Sequence, residues 1–338
     1  MKRLGLAVTG VLLAALLTGC GGLLLLALAG LEVGNLYAQV RDFVGLEASD
    51  YTMVFDGYDL GINPNPNGTL DLRGLPSGTH LLSIVSEDER IGFHRVVDIT
   101  SGSGLNLGQI NLEIGAVISG RVERQVGSTV VPLAGVRVAA AYGGPGLLSA
   151  GAGAPLTFPP TEETPTVVMA FTDANGNYRL GPCQFGEWLV TAAYPGFLTD
   201  VTFCTVASGS SASGQNLLLK PATTSQPATI RGTVTREGGG ALAHSLVNAD
   251  LRTALAPLMD AARVSALSSQ TGVTFMAEPW FRWRSLATVT TVAGAYDFEV
   301  PPGTMDVYAL KYGYRAKTAE FTLGSAAVQV IDFALQPR

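Results

Sequence analysis

Histidine, cysteine and charged residues are all scarce in this sequence. Its 338 residues include three His and three Cys, and charged residues make up 14% of the chain, against about 25% in an average soluble domain. So few His and Cys leave little material for a metal centre or a nucleophilic enzyme. The net charge of −6 also excludes the basic surface that nucleic-acid binding requires.

The motifs of common enzyme classes are absent as well. His80, His94 and His244 stand alone, without the His-Glu-x-x-His spacing of a zinc peptidase. The chain has no Gly-x-Ser-x-Gly nucleophile elbow and no Gly-Lys-Ser/Thr phosphate loop. We therefore expect no enzyme, no cofactor, no metal site and no nucleic-acid partner.

Apolar residues are abundant instead, at 47% of the chain, together with 41 Gly and 18 Pro. Hydrophobicity at this level argues against disorder, which goes with low hydrophobicity and high charge. Few charges, many glycines and many Val, Thr and Ala indicate an all-β protein that works outside the cytoplasm.

The N-terminus carries an apolar stretch behind two positive charges. Lys2 and Arg3 precede Leu4–Leu17, and the run ends in Leu17-Thr18-Gly19-Cys20. This order is typical of a secretory signal peptide, and its last four residues resemble the lipobox of bacterial lipoproteins. The resemblance implies that residues 1–19 are removed, that Cys20 is lipidated, and that the protein is membrane-anchored at the cell surface or in the periplasm.

Residues 20–35 form an apolar tether in this interpretation, although a tether is usually polar. Leu23–Leu31 is apolar, and the stretch from Leu4 to Leu31 has no charged residue, while about 20 residues suffice to span a bilayer. A retained transmembrane helix is one alternative, and packing of this segment on the protein or on a neighbouring copy is another. In each case the bulk of the chain lies outside the cytoplasm.

The remaining chain repeats one pattern three times: a turn glycine, an alternating strand, a second turn glycine and another strand. The leading and second glycines of the three copies are Gly68 and Gly78, Gly176 and Gly186, and Gly294 and Gly303. Apolar side chains at every second position between them indicate half-buried strands. We therefore assign these six glycines to structural hairpin turns.

A copy length of roughly 100 residues with about seven short strands suits an Ig-like β-sandwich. We expect an all-β protein of three tandem sandwiches after the signal peptide. Residues 36–115 form a divergent first copy and 116–220 the second. Residues 221–227 form a linker, and 228–338 form the third copy.

Several motifs of the second copy carry a family resemblance. They are Ile118-Ser-Gly-Arg-Val122, Thr172–Leu180 and Tyr194-Pro-Gly-Phe197. Together they resemble the carboxypeptidase regulatory-like domain, well over 116–220, fairly over 228–337 and weakly over 36–114. The resemblance implies a transthyretin-like sandwich and a modular, non-catalytic role.

Two insertions interrupt the same strand connection, Gly143–Pro165 in the second copy and Thr253–Arg284 in the third. Helical spacing over Thr253–Ser269 predicts a short helix. The end of the second insertion is rich in aromatic and basic side chains, namely Trp280, Phe281, Arg282, Trp283 and Arg284. They form either an exposed platform for a glycan or protein ligand or an apolar cover for the helix and the next strand.

Cys183 and Cys204 both fall in the second copy. With Cys20 used for lipid they are the pair that remains, and the compartment is oxidising. We expect a disulfide between them, with two buried thiols as the alternative.

Two functions fit these observations. The first is a membrane-anchored lipoprotein that acts as a binding or adhesion module, with the insertion 253–284 as its contact surface. The second is a structural spacer or a self-assembling surface or filament subunit, in which Leu23–Leu31 completes a neighbour's open sheet edge.

Overall fold

The computed structural model describes residues 33–144, 167–208, 210–222, 227–251 and 285–338. These residues form β-strands joined by turns, with one short 3₁₀ turn. No helix within these ranges is long and apolar enough to cross a membrane. The predicted all-β fold with tandem β-sandwiches is confirmed.

Sandwich 1 is built from eight strands in two sheets. They are β1 (Val33–Val40), β2 (Tyr51–Phe55), β3 (Tyr58–Asp59), β4 (Thr69–Pro76), β5 (Gly78–Ser86), β6 (Ile91–Ile99), β7 (Gly104–Ile110) and β8 (Glu113–Ile114), with the 3₁₀ turn at Ala48–Asp50. The sheet orders are β4-β1-β7 and β3-β2-β5-β6-β8. Strand β1 begins at Val33, three residues before the predicted start of the first copy.

Sandwich 2 follows after the single residue Gly115. Its strands are β9 (Ala116–Val126), β10 (Thr129–Pro132), β11 (Arg137–Gly144), β12 (Val167–Phe171), β13 (Asn177–Cys183), β14 (Gly186–Ala193), β15 (Asp200–Val206) and β16 (Leu217–Leu219). The sheets are β10-β9-β13, with β16 also paired to β9, and β12-β11-β14-β15.

Sandwich 3 has the corresponding set. Its strands are β17 (Ala228–Arg236), β18 (Leu246–Leu251), β19 (Ser285–Val289), β20 (Ala295–Val300), β21 (Gly303–Leu310), β22 (Lys317–Leu323), β23 (Val328–Val330) and β24 (Phe333–Leu335). The sheets are β20-β17-β23, with β24 also paired to β17, and β19-β18-β21-β22.

The three sandwiches share one topology. In the first sheet of each, the first strand (β1, β9 or β17) pairs antiparallel with a hairpin strand (β4, β13 or β20). It also pairs in parallel with a closing strand (β7, β16, or β23 and β24). The second sheets run β3-β2-β5-β6, β12-β11-β14-β15 and β19-β18-β21-β22. The repeat seen in the sequence therefore corresponds to a repeat of topology.

Glycine is required where the hairpin strand begins. A Cβ on Gly68 would lie 2.2 Å from the carbonyl oxygen of Val40, in the strand β1 that it faces. The same close approach to the first strand occurs at Gly176 and Gly294, and the three φ angles are 80°, 77° and 73°. The second turn glycines, Gly78, Gly186 and Gly303, have φ angles of 124°, 134° and 147°. These left-handed angles exclude ordinary side chains at all six turns.

Sandwich 1 diverges at one internal bond. In sandwiches 2 and 3 a tyrosine on the hairpin strand donates a hydrogen bond to the closing segment, Tyr178 to Gln215 O and Tyr296 to Ile331 O. Sandwich 1 has the buried Leu70 at this position. Loss of this polar signature explains why the first copy is the hardest to detect from sequence.

Candidate functional site

The three sandwiches pack against one another in a cycle. The turn that follows the strand after the hairpin strand (β5, β14 or β21) lies on the hairpin strand of the next sandwich: the β5–β6 turn on β13, the β14–β15 turn on β20, and the β21–β22 turn on β4. The contacts that define these seams are Arg179 Nη2 to Asp88 O at 2.7 Å, Gly196 beside the Glu299 carboxylate, and Ala316 N to Gly74 O at 2.8 Å. Sandwich 3 thus packs on sandwich 1 as sandwich 1 packs on sandwich 2.

Apolar side chains bury the seam between sandwiches 2 and 3. Ala141, Leu189 and Val201 lie on sandwich 2 and belong to the apolar core of sandwich 3. Leu189 and Val201 are 1% and 0% exposed. The second sheet of sandwich 2 is therefore covered on both of its faces.

The seam between sandwiches 3 and 1 is also apolar. Leu246, Ala287, Leu310 and Ala316 of sandwich 3 belong to the buried core of sandwich 1. The Tyr58 hydroxyl of sandwich 1 also donates a hydrogen bond to the carbonyl of His244 in sandwich 3. This seam joins the first and last parts of the chain.

A buried carboxylate lies where this seam meets sandwich 2. Asp56 Oδ2 accepts a hydrogen bond from the Tyr308 hydroxyl at 2.7 Å and lies 2.7 Å from His80 Nδ1. Its other oxygen accepts the N–H of Leu81 at 2.8 Å. Asp56, His80 and Tyr308 are only 3%, 4% and 5% exposed. We call Asp56, His80 and Tyr308 the junction triad.

The electrostatics of the junction triad keep Asp56 ionised and Tyr308 neutral. Burial works to raise the pKa of Asp56, but His80, Arg137 of sandwich 2 and the Leu81 N–H outweigh it, so the pKa is lowered. Burial and the neighbouring Asp56 hold the pKa of Tyr308 well above its ordinary value. A neutral phenol that donates to a carboxylate is a strong, charge-assisted hydrogen bond.

The junction triad is arranged to hold sandwiches together. An Asp–His pair can activate a nucleophile, but in the described part of the chain His80 Nε2 has no hydrogen-bond partner. The ring of His80 instead packs between Phe55, at a centroid distance of 4.7 Å, and Tyr308, at 5.6 Å. All three side chains of the junction triad are buried within the packing.

The seam between sandwiches 1 and 2 is different in character. It encloses a groove of about 490 Å³ whose lining includes Thr52, Val54, Val85, Tyr58, Phe171, Glu87, Glu89 and Arg179. None of the buried apolar residues of sandwich 2 that the structure describes belongs to the sandwich 1 core, and the half-buried Phe171 packs at its margin. Gly57 lies close to the buried Met169 and Gly92 lies close to Pro182. We call this contact the polar seam, because titratable side chains also form bonds across it.

Three titratable side chains contribute to the polar seam. His94 Nε2 donates to Gly181 O at 2.9 Å, and Nδ1 lies 2.7 Å from Ser83 Oγ. Arg179 Nε lies 3.6 Å from Glu89 Oε2. Burial lowers the pKa of His94 to about 4, although the bond to Gly181 opposes this. Burial raises the pKa of Glu89 to about 7, against the opposing effect of Arg179.

The structure describes only some of the residues singled out in the sequence. Cys20 and the segment Trp280–Arg284 lie outside the described residues, as does the predicted helix 253–269. Among the residues that are described, no three His, Cys, Asp or Glu side chains come together as a metal site.

Cys183 and Cys204 are both buried in the core of sandwich 2. They are free thiols in the structure, so the expected disulfide is not formed there and the alternative of two buried thiols describes it. Cys183 ends β13 in the first sheet, where Sγ donates to Leu180 O at 3.2 Å, and Cys204 lies in β15 of the second sheet. Burial raises the pKa of both thiols, that of Cys204 to about 12.

Sequence reasoning missed the junction triad and the role of His94. The partners are far apart in the chain, since Asp56 and Tyr308 are separated by 252 residues and His94 and Gly181 by 87. The run Val307-Tyr308-Ala309-Leu310 has no charged side chain on either face of its strand. Strands that are apolar on both faces are usually buried on both faces, so this run could have indicated that another sandwich covers the sheet.

Comparisons with known proteins place the chain in no family. No family model matches it, and no curated protein matches it. The resemblance to the carboxypeptidase regulatory-like domain therefore remains without independent support.

Solved structures give matches with low TM-scores. The Bacillus anthracis TIE protein is 11% identical with a TM-score of 0.21, and the match covers 91% of this chain and 51% of that protein. This chain therefore spans about half the length of that protein. A streptococcal ancillary pilin is 11% identical, covers 91% of this chain and 99% of the pilin, and has a TM-score of 0.23.

An enzyme appears among the matches too. Chlorocatechol 1,2-dioxygenase from Pseudomonas putida is 15% identical over 33% of this chain and 60% of the enzyme, with a TM-score of 0.23. At TM-scores this low, none of these matches assigns a function to the chain.

Proposed function

We propose that this chain is a non-catalytic structural subunit of the bacterial cell surface, which serves as a spacer or as a self-assembling subunit. Lipidation of Cys20 anchors it in the membrane. The observation that carries the proposal is the closed cycle of seams, because each sandwich packs on both of the others. The two seams of sandwich 3 are apolar, and apolar interfaces within a chain limit relative domain motion.

The buried polar groups support the same conclusion. The junction triad places a hydrogen bond across the seam between sandwiches 3 and 1. Its three side chains are buried in that packing, whereas the polar side chains of an enzyme converge on a cavity that admits substrate. The junction triad therefore stabilises the packing of sandwiches.

Two measurements on cells test this function. Mass spectrometry of the mature N-terminus should find an acylated Cys20, and Cys20→Ser should lack the acyl mass, with the matched exposed substitution Ser101→Ala as control. Amine-reactive cross-linking of intact cells should give a ladder at multiples of the mature mass. An N-terminus without acyl mass on Cys20 contradicts the anchor, and a monomer as the sole cross-linked species contradicts self-assembly.

A binding module is the second candidate, and the groove at the polar seam favours it. A groove of about 490 Å³ lies within the size range of ligand sites, and the segment Trp280–Arg284 supplies aromatic and basic side chains. Glycan-array binding by the full chain that is lost in Trp280→Ala with Trp283→Ala, and kept in Phe185→Ala, would favour this candidate. No binding on the array, or equal binding by both variants, excludes the segment as the contact surface.

A further inference from the structure

We propose that the seam between sandwiches 3 and 1 also forms between two copies of the chain, so that sandwich 1 of one copy packs on sandwich 3 of another. This inference rests on the self-assembling form of the proposed function and names its interaction surface. The partner is a second copy of the same chain.

The connectivity of the cycle permits this exchange. Gly115 connects sandwiches 1 and 2, and residues 221–227 connect sandwiches 2 and 3, but no connecting segment joins sandwiches 3 and 1. Their seam is held entirely by side-chain packing and hydrogen bonds, including the Tyr308–Asp56 bond and the Ala316–Gly74 bond. The same contacts can therefore form within one chain or between two.

The seam is also heterologous, because the two surfaces that meet are different. Sandwich 3 contributes the outer face of its second sheet and its β21–β22 turn, while sandwich 1 contributes β4 and the Asp56 region. Such head-to-tail surfaces close on themselves in one molecule or continue from one molecule to the next. Neither surface is complementary to a copy of itself.

The two seams of sandwich 1 differ in composition. Its contact with sandwich 2 has polar bonds and contains the groove, and this contact must open before sandwich 1 can reach another copy. Its contact with sandwich 3 buries Leu246 and Leu310, which are both 0% exposed. An opened chain would expose these leucines to water, and recapture of another sandwich 1 buries them again.

Local concentration decides between the closed and the exchanged form. A short connection gives sandwich 1 an effective concentration in the millimolar range near its own sandwich 3. The exchanged form has the same contacts as the closed form, so it is not favoured by additional contacts. It therefore requires a high local concentration of chains. Anchoring in a membrane through Cys20 would supply that crowding.

Mixed cross-linking tests the exchange. Arg73 and Arg315 are exposed and lie at the seam, since Arg315 packs against Gly74. Two variants of the full chain are prepared, one with Arg73→Cys and one with Arg315→Cys, and both carry Cys20→Ser. They are mixed at high concentration and treated with a short bis-maleimide. We expect a conjugate of twice the chain mass in the mixture, at least fivefold above either variant alone.

Loosening the polar seam should increase the yield. Arg179→Ala removes the contacts to Asp88 and Glu89 and should raise the conjugate severalfold. Arg121→Ala is the matched control, because Arg121 bonds Asn175 within its own sandwich. The chain carrying both cysteines reports the closed form as an internally linked monomer.

The outcomes separate this inference from the proposed function. If the double variant links internally but the mixture gives no conjugate above either single variant, even with Arg179→Ala, the exchange is wrong. A ladder on cells would then still support assembly through another surface. If the mixture gives the conjugate but cells give no ladder, the exchange stands and self-assembly on the cell surface is wrong.

Discussion

Sandwich 1 packs on sandwich 3 and on sandwich 2 through two seams of different composition. The seam with sandwich 3 contains leucines and the buried junction triad. The seam with sandwich 2 contains His94, Arg179 and Glu89 around a groove. One topology thus gives one apolar seam and one seam with polar bonds and a groove, and the side chains on the outer sheet faces cause the difference.

Removal of the junction carboxylate should have the largest effect. Asp56→Ala leaves His80 and Tyr308 buried without their acceptor, which should lower the free energy of unfolding by about 3–5 kcal/mol. Denaturant unfolding followed by circular dichroism measures this. Asp71→Ala is the control, because its ion pair with Arg73 is exposed and its loss should leave the free energy of unfolding almost unchanged. Similar losses in the two variants would mean that the triad does not hold the seam.

Truncation of a leucine at the apolar seam should have the second-largest effect on the free energy of unfolding. Leu310→Ala removes a fully buried side chain from the apolar seam and should cost about 3 kcal/mol. The matched change at the polar seam is Val85→Ala, a half-buried groove residue, which should cost about 1 kcal/mol or less. Both are measured by denaturant unfolding. Equal costs would show that the two seams are packed equally well.

Acid should weaken the polar seam through His94. Because the folded-state pKa is about 4 and the ordinary value is about 6.5, folding disfavours the protonated form. The stability contributed by neutral His94 is present above pH 6.5 and is lost as the pH falls toward 4. The protection factors of the β13 amides, which are corrected for the intrinsic pH dependence of exchange, should therefore fall over this window.

The variant His94→Gln provides the comparison for that measurement. It should exchange faster at neutral pH but lose the acid dependence. A wild-type protein whose β13 amides are equally protected at pH 4.5 and pH 7 would contradict the prediction.

Glu89 should give the smallest effect, with the opposite sign. Its pKa is raised to about 7, so folding favours the protonated form. The stability from the protonated carboxyl is present below the ordinary pKa, about 4.3, and is lost as the pH rises toward 7. Glu89→Gln should therefore gain thermal stability relative to wild type between pH 5 and pH 8. The exposed change Glu87→Gln serves as control, and identical pH profiles for all three proteins would rule this out.

The fold could be predicted from the sequence because its signals are local. The turn glycines, such as Gly68 and Gly176, require left-handed backbone angles, and the residues between them alternate with the period of a strand. Phe298 of the third copy occupies the position of Leu180 in the second copy, and both side chains lie in the core of their sandwich. Such signals survive even in the first copy, which has lost the tyrosine.

The seams could not be predicted in the same way, because they depend on residues far apart in the chain. An isolated His94 carries no local pattern that distinguishes a seam residue from an exposed one. Asp56 and Tyr308 become partners only after all three sandwiches have folded and packed. The disulfide expected between Cys183 and Cys204 followed from elimination and compartment rather than from geometry, and the structure has two thiols there.

The closed cycle of contacts also determines how the molecule would bear mechanical load. Domains that are joined end to end transmit tension through every linker and domain in series, so the weakest of them sets the force that the chain can bear. Here a pull between sandwich 1 and sandwich 3 divides between two routes, one through sandwich 2 and one directly across the Tyr308–Asp56 contact. Extension must shear both routes together, which makes this small β protein stiff until it yields in a single event.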